Sequence, residues 1–208
     1  LLDAHFSIGV DAERALLAVA RESVGYGLRS DRNGGPMPVE PELHPEPLRR
    51  VAPSFVTLRR RSGELRGCIG ELEARRSLVE SVACNAWSAA FRDPRFDAVA
   101  ESEWRSLEIH ISILGPLERL EVGSEQALIA MLRPGIDGLL IDDGHRRATF
   151  LPAVWASLPD PTRFVHELQR KAGLAAGVWS AGLQASRYRV IEISDRNPEE
   201  PDGQAGGV

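Results

Sequence analysis

A single lysine, Lys171, stands among 25 basic residues, so arginine supplies nearly all the positive charge. That bias says little about partners. The two cysteines, Cys68 and Cys84, fit a reducing compartment, where a structural disulfide is not expected. No Cys-x-x-Cys or His-x-x-x-His spacing occurs, so no metal site is expected. No apolar run approaches the ~18 residues that span a bilayer, and no membrane association is expected. Leu1 to Val10 lacks the charged start and long apolar stretch of a signal peptide, which makes the expected location cytoplasmic. The net charge of −5 gives no global attraction to nucleic acid. Trp87, Trp104, Trp155 and Trp179 are scattered, without the interleaved basic residues of a stacking platform. No Gly-x-Gly-x-x-Gly follows a strand and no Walker loop is present, so no nucleotide or other cofactor is expected.

What is present is the composition of an ordinary globular protein, 43% hydrophobic and 26% charged, enough for one domain or two small lobes. Asp11 is placed to cap a first helix through about Leu28. A Gly-, Pro- and Glu-rich stretch over about 30–47 is long for a connection, and reads as a functional or mobile loop. Phe55 to Leu58 and Glu64 to Ile69 read as hairpin strands about a Ser62-Gly63 turn. Ser77-Leu-Val-Glu80 is a capping box, and Leu78, Val79, Val82, Ala83, Ala86, Trp87, Ala90 and Phe91 form an apolar helical stripe after it. Pro94 ends that helix near Arg92. Leu107 to Leu114 alternates as a half-buried strand, and Glu125 to Leu132 reads as a short helix. Strands over 138–142 and 146–151 flank the turn Asp143-Gly144. Asp160 and Pro161 open a helix that stops at Gly173, and Tyr188 to Ile193 reads as the last strand. The class is therefore α+β, a mostly antiparallel sheet with flanking helices. Residues 197–208 offer nothing to bury and are expected to be a disordered tail.

Chemistry concentrates at Glu64-Leu-Arg-Gly-Cys-Ile-Gly70. Strand alternation puts Arg66 and Cys68 on one face and Leu65 and Ile69 on the other. A cation beside a thiol favours the thiolate, and two glycines let a ligand approach the backbone. One reading is a Cys68 nucleophile with Arg66 as anion anchor and the Gly67–Gly70 N–H groups as oxyanion stabiliser. The other is a close-packed strand end with a small buried thiol.

Phe55-Val-Thr-Leu58 followed by Leu65-Arg-Gly-Cys-Ile-Gly70 resembles the signature of the AMMECR family. Asp93-Pro-Arg-Phe96, the strand Leu107 to Leu117, Gly135-Ile-Asp-Gly-Leu-Leu140, Phe150-Leu-Pro152 and Lys171-Ala-Gly-Leu174 follow in the family's order, covering about Asp11 to Ile193. The resemblance implies one α+β domain over residues 1–196 in two intertwined sublobes. It also implies a genetic association with a Memo-like protein and a radical SAM protein, the AmmeMemoRadiSam system. It brings no settled reaction.

The remaining candidates divide between chemistry and structure. Arg66 can anchor a carboxylate or phosphate, or pair with Asp93 or a nearby glutamate. Asp93 and Arg95 can supply an acid or base and an anion contact; more simply, Asp93-Pro94 is a helix-ending turn and Phe96 a core plug. Gly67, Ile69 and Gly70 would complete the substrate or anion contact. A cysteine enzyme normally needs a base, and none is identifiable by spacing. His110 shares a strand face with Glu108 and Ser112, which reads as a base with its orienting acid or as the solvated face of an edge strand. His145 and His166 have no partner at metal-ligand spacing, and Cys84 lies beside the apolar stripe as a filler.

Overall fold

The computed structural model describes residues 8–30, 34–180 and 182–195. The expected tail over 197–208 lies outside them. The described residues divide into two compact units, one formed by Gly115–Val190, the other by residues 8–114 and again from Ile191.

The larger unit begins with α1 (Val10–Arg29), whose buried stripe includes Leu16, Val19, Ala20 and Val24. Its N-cap is Gly9 and not Asp11, which sits in the first turn, where its charge favours the helix's positive end. The stretch expected as a long loop contains two short helical turns, Pro41–Leu43 and α2 (Glu46–Arg49), and α2 buries Leu48 completely. Strands β1 (Ser54–Arg60) and β2 (Leu65–Gly70) form the expected hairpin about Ser62-Gly63. The capping box is present as the sequence predicts. Ser77 Oγ accepts the Glu80 N–H, Glu80 accepts the Ser77 N–H at 3.0 Å, and α3 (Leu78–Phe91) follows. A one-turn helix, α4 (Glu101–Trp104), leads into β3 (Leu107–Leu114). β1 pairs antiparallel with both β2 and β3.

In the smaller unit, β4 (Glu118–Leu120), α5 (Glu125–Met131), β5 (Gly138–Asp142), β6 (Arg147–Phe150), α6 (Pro161–Lys171) and β7 (Gln184–Tyr188) follow in order. Asp160 caps α6 through the Arg163 N–H at 2.8 Å, with Pro161 at the first helical position. The second sheet runs β4-β7-β5-β6 with antiparallel pairing, and its core gathers Leu128, Leu139, Ile141, Trp155, Phe164 and Leu168.

The chain then re-enters the larger unit as β8 (Val190–Ser194), completing the first sheet in the order β2-β1-β3-β8. Where the sequence predicts one last strand over 188–193, the structure has two strands in two sheets. Gln184 to Tyr188 is too polar to read as a strand, and its pairing with β5 and β4 overrides that local signal. The class is α+β with antiparallel sheets, as the pattern of elements requires.

β3 is an interior strand of the first sheet, not the edge strand considered for His110. The inner face of the sheet, with Val56, Leu58, Ile109 and Ile111, packs with α1 and α3 into one core. β2 lies at the sheet's edge, which positions the signature residues.

Candidate functional site

Cys68 lies opposite Thr57 in the β1–β2 hairpin, and the Thr57 hydroxyl donates to its Sγ at 3.2 Å. The thiol is half-buried on the polar face of the sheet, outside the apolar core. Thr57 in turn lies opposite His110 on β3, so Cys68, Thr57 and His110 form one cross-strand row. His110 Nε2 stands 3.7 Å from Glu108, beyond hydrogen-bond reach. Burial, then the charge of Arg59, pushes the His110 imidazole below its ordinary range, so its neutral form is favoured.

The backbone of Cys68 is held from the far side of β2. Its N–H donates to Asp93 Oδ2 at 2.8 Å and its C=O accepts from Arg95 Nη2 at 3.2 Å. Asp93 also accepts the Arg95 N–H, Nε and Nη2 at 3.1, 2.9 and 2.6 Å. These bonds, led by the Arg95 side chain and opposed by burial, lower the Asp93 carboxyl to about 2. Asp93 and Arg95 thus satisfy an edge strand at one residue, which blocks pairing with another chain there.

Arg66 does not meet Asp93. Its Nε and Nη2 grip Glu103 of α4 at 3.0 and 2.7 Å, the nearby-glutamate alternative. The Arg66 fork holds the Glu103 carboxyl below its usual range. Arg66 is 6% exposed, and its Nη1 has no hydrogen-bond acceptor among the described residues. The guanidinium carbons of Arg66 and Arg95 lie 5.9 and 5.4 Å from the Phe96 ring centroid, so the Phe96 ring serves both cations.

Two glycines of the signature have packing reasons. A Cβ on Gly67 would lie 2.1 Å from the Ala89 carbonyl oxygen of α3. One on Gly70 would lie 2.2 Å from the Phe55 ring and 2.5 Å from the Ser54 carbonyl oxygen. Ile69 packs partly buried against the core. The structure therefore brings Arg66, Gly67, Cys68, Ile69, Gly70, Asp93 and Arg95 into one region, but the Cys68 N–H is occupied by Asp93 and is not open to an oxyanion.

Thr57 and Glu103 were not singled out from sequence. Thr57 had a usable signal, because a hairpin turning at Ser62-Gly63 sets it opposite Cys68. Glu103 had none, since 37 residues separate it from Arg66. His145 lies in the turn after β5, and His166 meets Glu125 at 3.0 Å in the smaller unit. Among the described residues no group of three His, Cys, Asp or Glu side chains is placed to hold a metal. None of the described helices is long and apolar enough to cross a membrane.

The sequence profile of the AMMECR1 family matches residues 17–193, and the chain belongs to that family. A protein of Methanothermobacter thermautotrophicus is 35% identical over 79% of this chain and 83% of its own length. A protein of Thermotoga maritima is 36% identical over 73% of this chain and 84% of its own. The crystal structure of an uncharacterized protein from Pyrococcus horikoshii superposes with a TM-score of 0.83 at 28% identity, covering 94% of this chain and 97% of that one.

Proposed function

We propose that this chain is an enzyme, or a component of one, acting through the Cys68 thiol in a modification pathway with Memo-like and radical SAM partners. The observation that carries the reading is the thiol itself. Cys68 is half-buried on a polar sheet face, outside the apolar core, and receives a hydroxyl hydrogen bond from Thr57. Asp93 and Arg95 act as positioning residues that fix the Cys68 backbone. Arg66 keeps its guanidinium on Glu103, buried beside the strand that carries the thiol.

The test compares iodoacetamide alkylation of Cys68 and Cys84 in the folded protein, site by site, by mass spectrometry. Cys68 is expected to react about tenfold faster. A Cys68 that stays inert until the protein unfolds ends the proposal.

A second reading, a non-catalytic module that recognises a protein partner or an anionic ligand through the 66–70 surface, has its own support. Gly67 and Gly70 are required by packing, and Asp93 by the edge of β2, so most of the signature has a structural task without catalysis. Cys68→Ser separates the two. Loss of pathway function with retained partner binding favours the enzyme; retained function favours the module.

A further inference from the structure

A cleft of about 490 Å³ opens within the larger unit, between residues 36–39 and the start of α3. It is separate from the Cys68 region. One wall is the run Pro36-Met-Pro-Val39, stiffened by its two prolines, and the other is formed by Ala83 and Cys84 of α3. Arg75 and Arg76 add charge to the lining. The volume falls within the roughly 300–1,000 Å³ of small-molecule sites.

The charges of this cleft are unequal in availability. Glu80 lines it, and its Oε2 accepts the Ser77 backbone N–H at 3.0 Å and the Ser77 hydroxyl at 2.5 Å, which ties that oxygen to the start of α3. Arg75 and Arg76 meet Glu73 and Glu71 at 2.6 and 3.4 Å, in pairs whose side chains are 26–68% exposed. Exposed pairs of this kind are weak, about 0–1 kcal/mol, and exchange partners readily. Both present partners are carboxylates, a planar group that the arginine fork matches. Met37, Val39 and Ala83 supply apolar contact for a short hydrocarbon body.

We propose that this cleft binds a small carboxylate-headed amphiphile, with Arg75 and Arg76 holding the head and the Met37–Val39 wall and Ala83 holding the chain. Cys84 lies in the wall and reports occupancy without being needed for it.

The experiment uses the full chain and three probes: octanoate, octanol and acetate. Cys84 alkylation is followed by mass spectrometry, with Cys68 in the same molecule as the internal control. Octanoate is expected to slow Cys84 alkylation about tenfold and leave Cys68 unchanged, while octanol and acetate give no protection. Arg75→Ala/Arg76→Ala is expected to raise the octanoate dissociation constant about tenfold, with the thermal midpoint unchanged because both side chains are exposed. No protection by octanoate, equal protection by octanol, or unaltered octanoate affinity in the folded double variant overturns the proposal.

Discussion

Asp93 accepts the backbone N–H of Cys68 across 25 residues of sequence, and through Arg95 it also governs the Cys68 carbonyl. One ion pair thus closes both hydrogen-bonding groups of an edge-strand residue. The turn that ends α3 and the strand that carries the thiol are coupled by this bond. Any change at Asp93 reaches Cys68 through its backbone, with no need for side-chain contact.

The coupling has a pH signature. The Asp93 carboxyl sits at about 2 in the folded chain, against ~3.9 for an unfolded aspartate. Its contribution is present above the unfolded value and is lost as pH falls from ~4 toward 2, because the unfolded chain then binds more protons. The size is about 1–2 kcal/mol, the lower end reflecting solvent around Arg95, whose side chain is 54% exposed. Asp93→Asn keeps an acceptor for the Cys68 N–H and removes the titration. Urea midpoints measured between pH 2 and 7 are expected to converge for the two proteins at the acid end. Parallel acid limbs would show that Asp93 is not the source.

Gly67→Ala is expected to be among the most damaging single-methyl changes in the chain. The added Cβ meets the Ala89 carbonyl oxygen at 2.1 Å, and a helix backbone cannot move aside as a flexible side chain can. Overpacking of this kind costs about 1–3 kcal/mol or more, because β2 and α3 must separate. Thermal unfolding checks it, with Gly63→Ala as a separate turn control at a positive-φ glycine whose Cβ has no neighbour within 4 Å. A Gly67→Ala protein as stable as wild type would remove the packing account of this glycine.

Much of this fold was legible because the informative signals are local. Ser77 with Glu80, Asp160 with Pro161, and the Asp143-Gly144 turn each act within four residues, and each element starts or turns where they place it. The α4 turn and the division of the last strand into β7 and β8 depend on distant partners, and no local pattern carries them. The signature region shows the same split. Its members assemble as a group, but the requirement for Gly67 lies in how closely α3 approaches, and the partner of Arg66 lies on a one-turn helix. Arginine beside cysteine in sequence suggests an interaction between them; in space the arginine serves Glu103.

The Arg66–Glu103 pair makes a prediction about how that arginine is used. Both Nε and Nη2 are engaged, and the guanidinium is almost wholly buried. Arg66→Lys retains the charge but not the two-pronged geometry, and is expected to lose about 1–3 kcal/mol. Glu103→Gln leaves the buried arginine without its counter-charge, at a cost of about 3 kcal/mol. In a double-mutant cycle by urea unfolding, the two changes are expected to cost well below their sum together, with a coupling above ~0.5 kcal/mol. Strict additivity would mean that the pair is not energetically linked.

Tyr188 gives an alkaline counterpart in the smaller unit. The Tyr188 hydroxyl donates to the Phe150 carbonyl oxygen at 3.2 Å and stands 2.6 Å from the Thr149 hydroxyl, which also reaches the Leu139 carbonyl oxygen at 2.9 Å. Burial raises the Tyr188 phenol to about 12, the hydrogen bond with Thr149 opposing it. A raised folded value favours the neutral phenol. The contribution is therefore complete below the unfolded value of ~10 and is lost as pH rises from there toward 12. The chain has two tyrosines, so ultraviolet titration reads each as a large part of the signal. Tyr188→Phe is expected to delete the late-titrating step and to cost about 1–2 kcal/mol at neutral pH by removing the hydroxyl that bonds Thr149 and the Phe150 carbonyl oxygen. If the late step survives in Tyr188→Phe, it belongs to another group and burial does not raise the Tyr188 phenol.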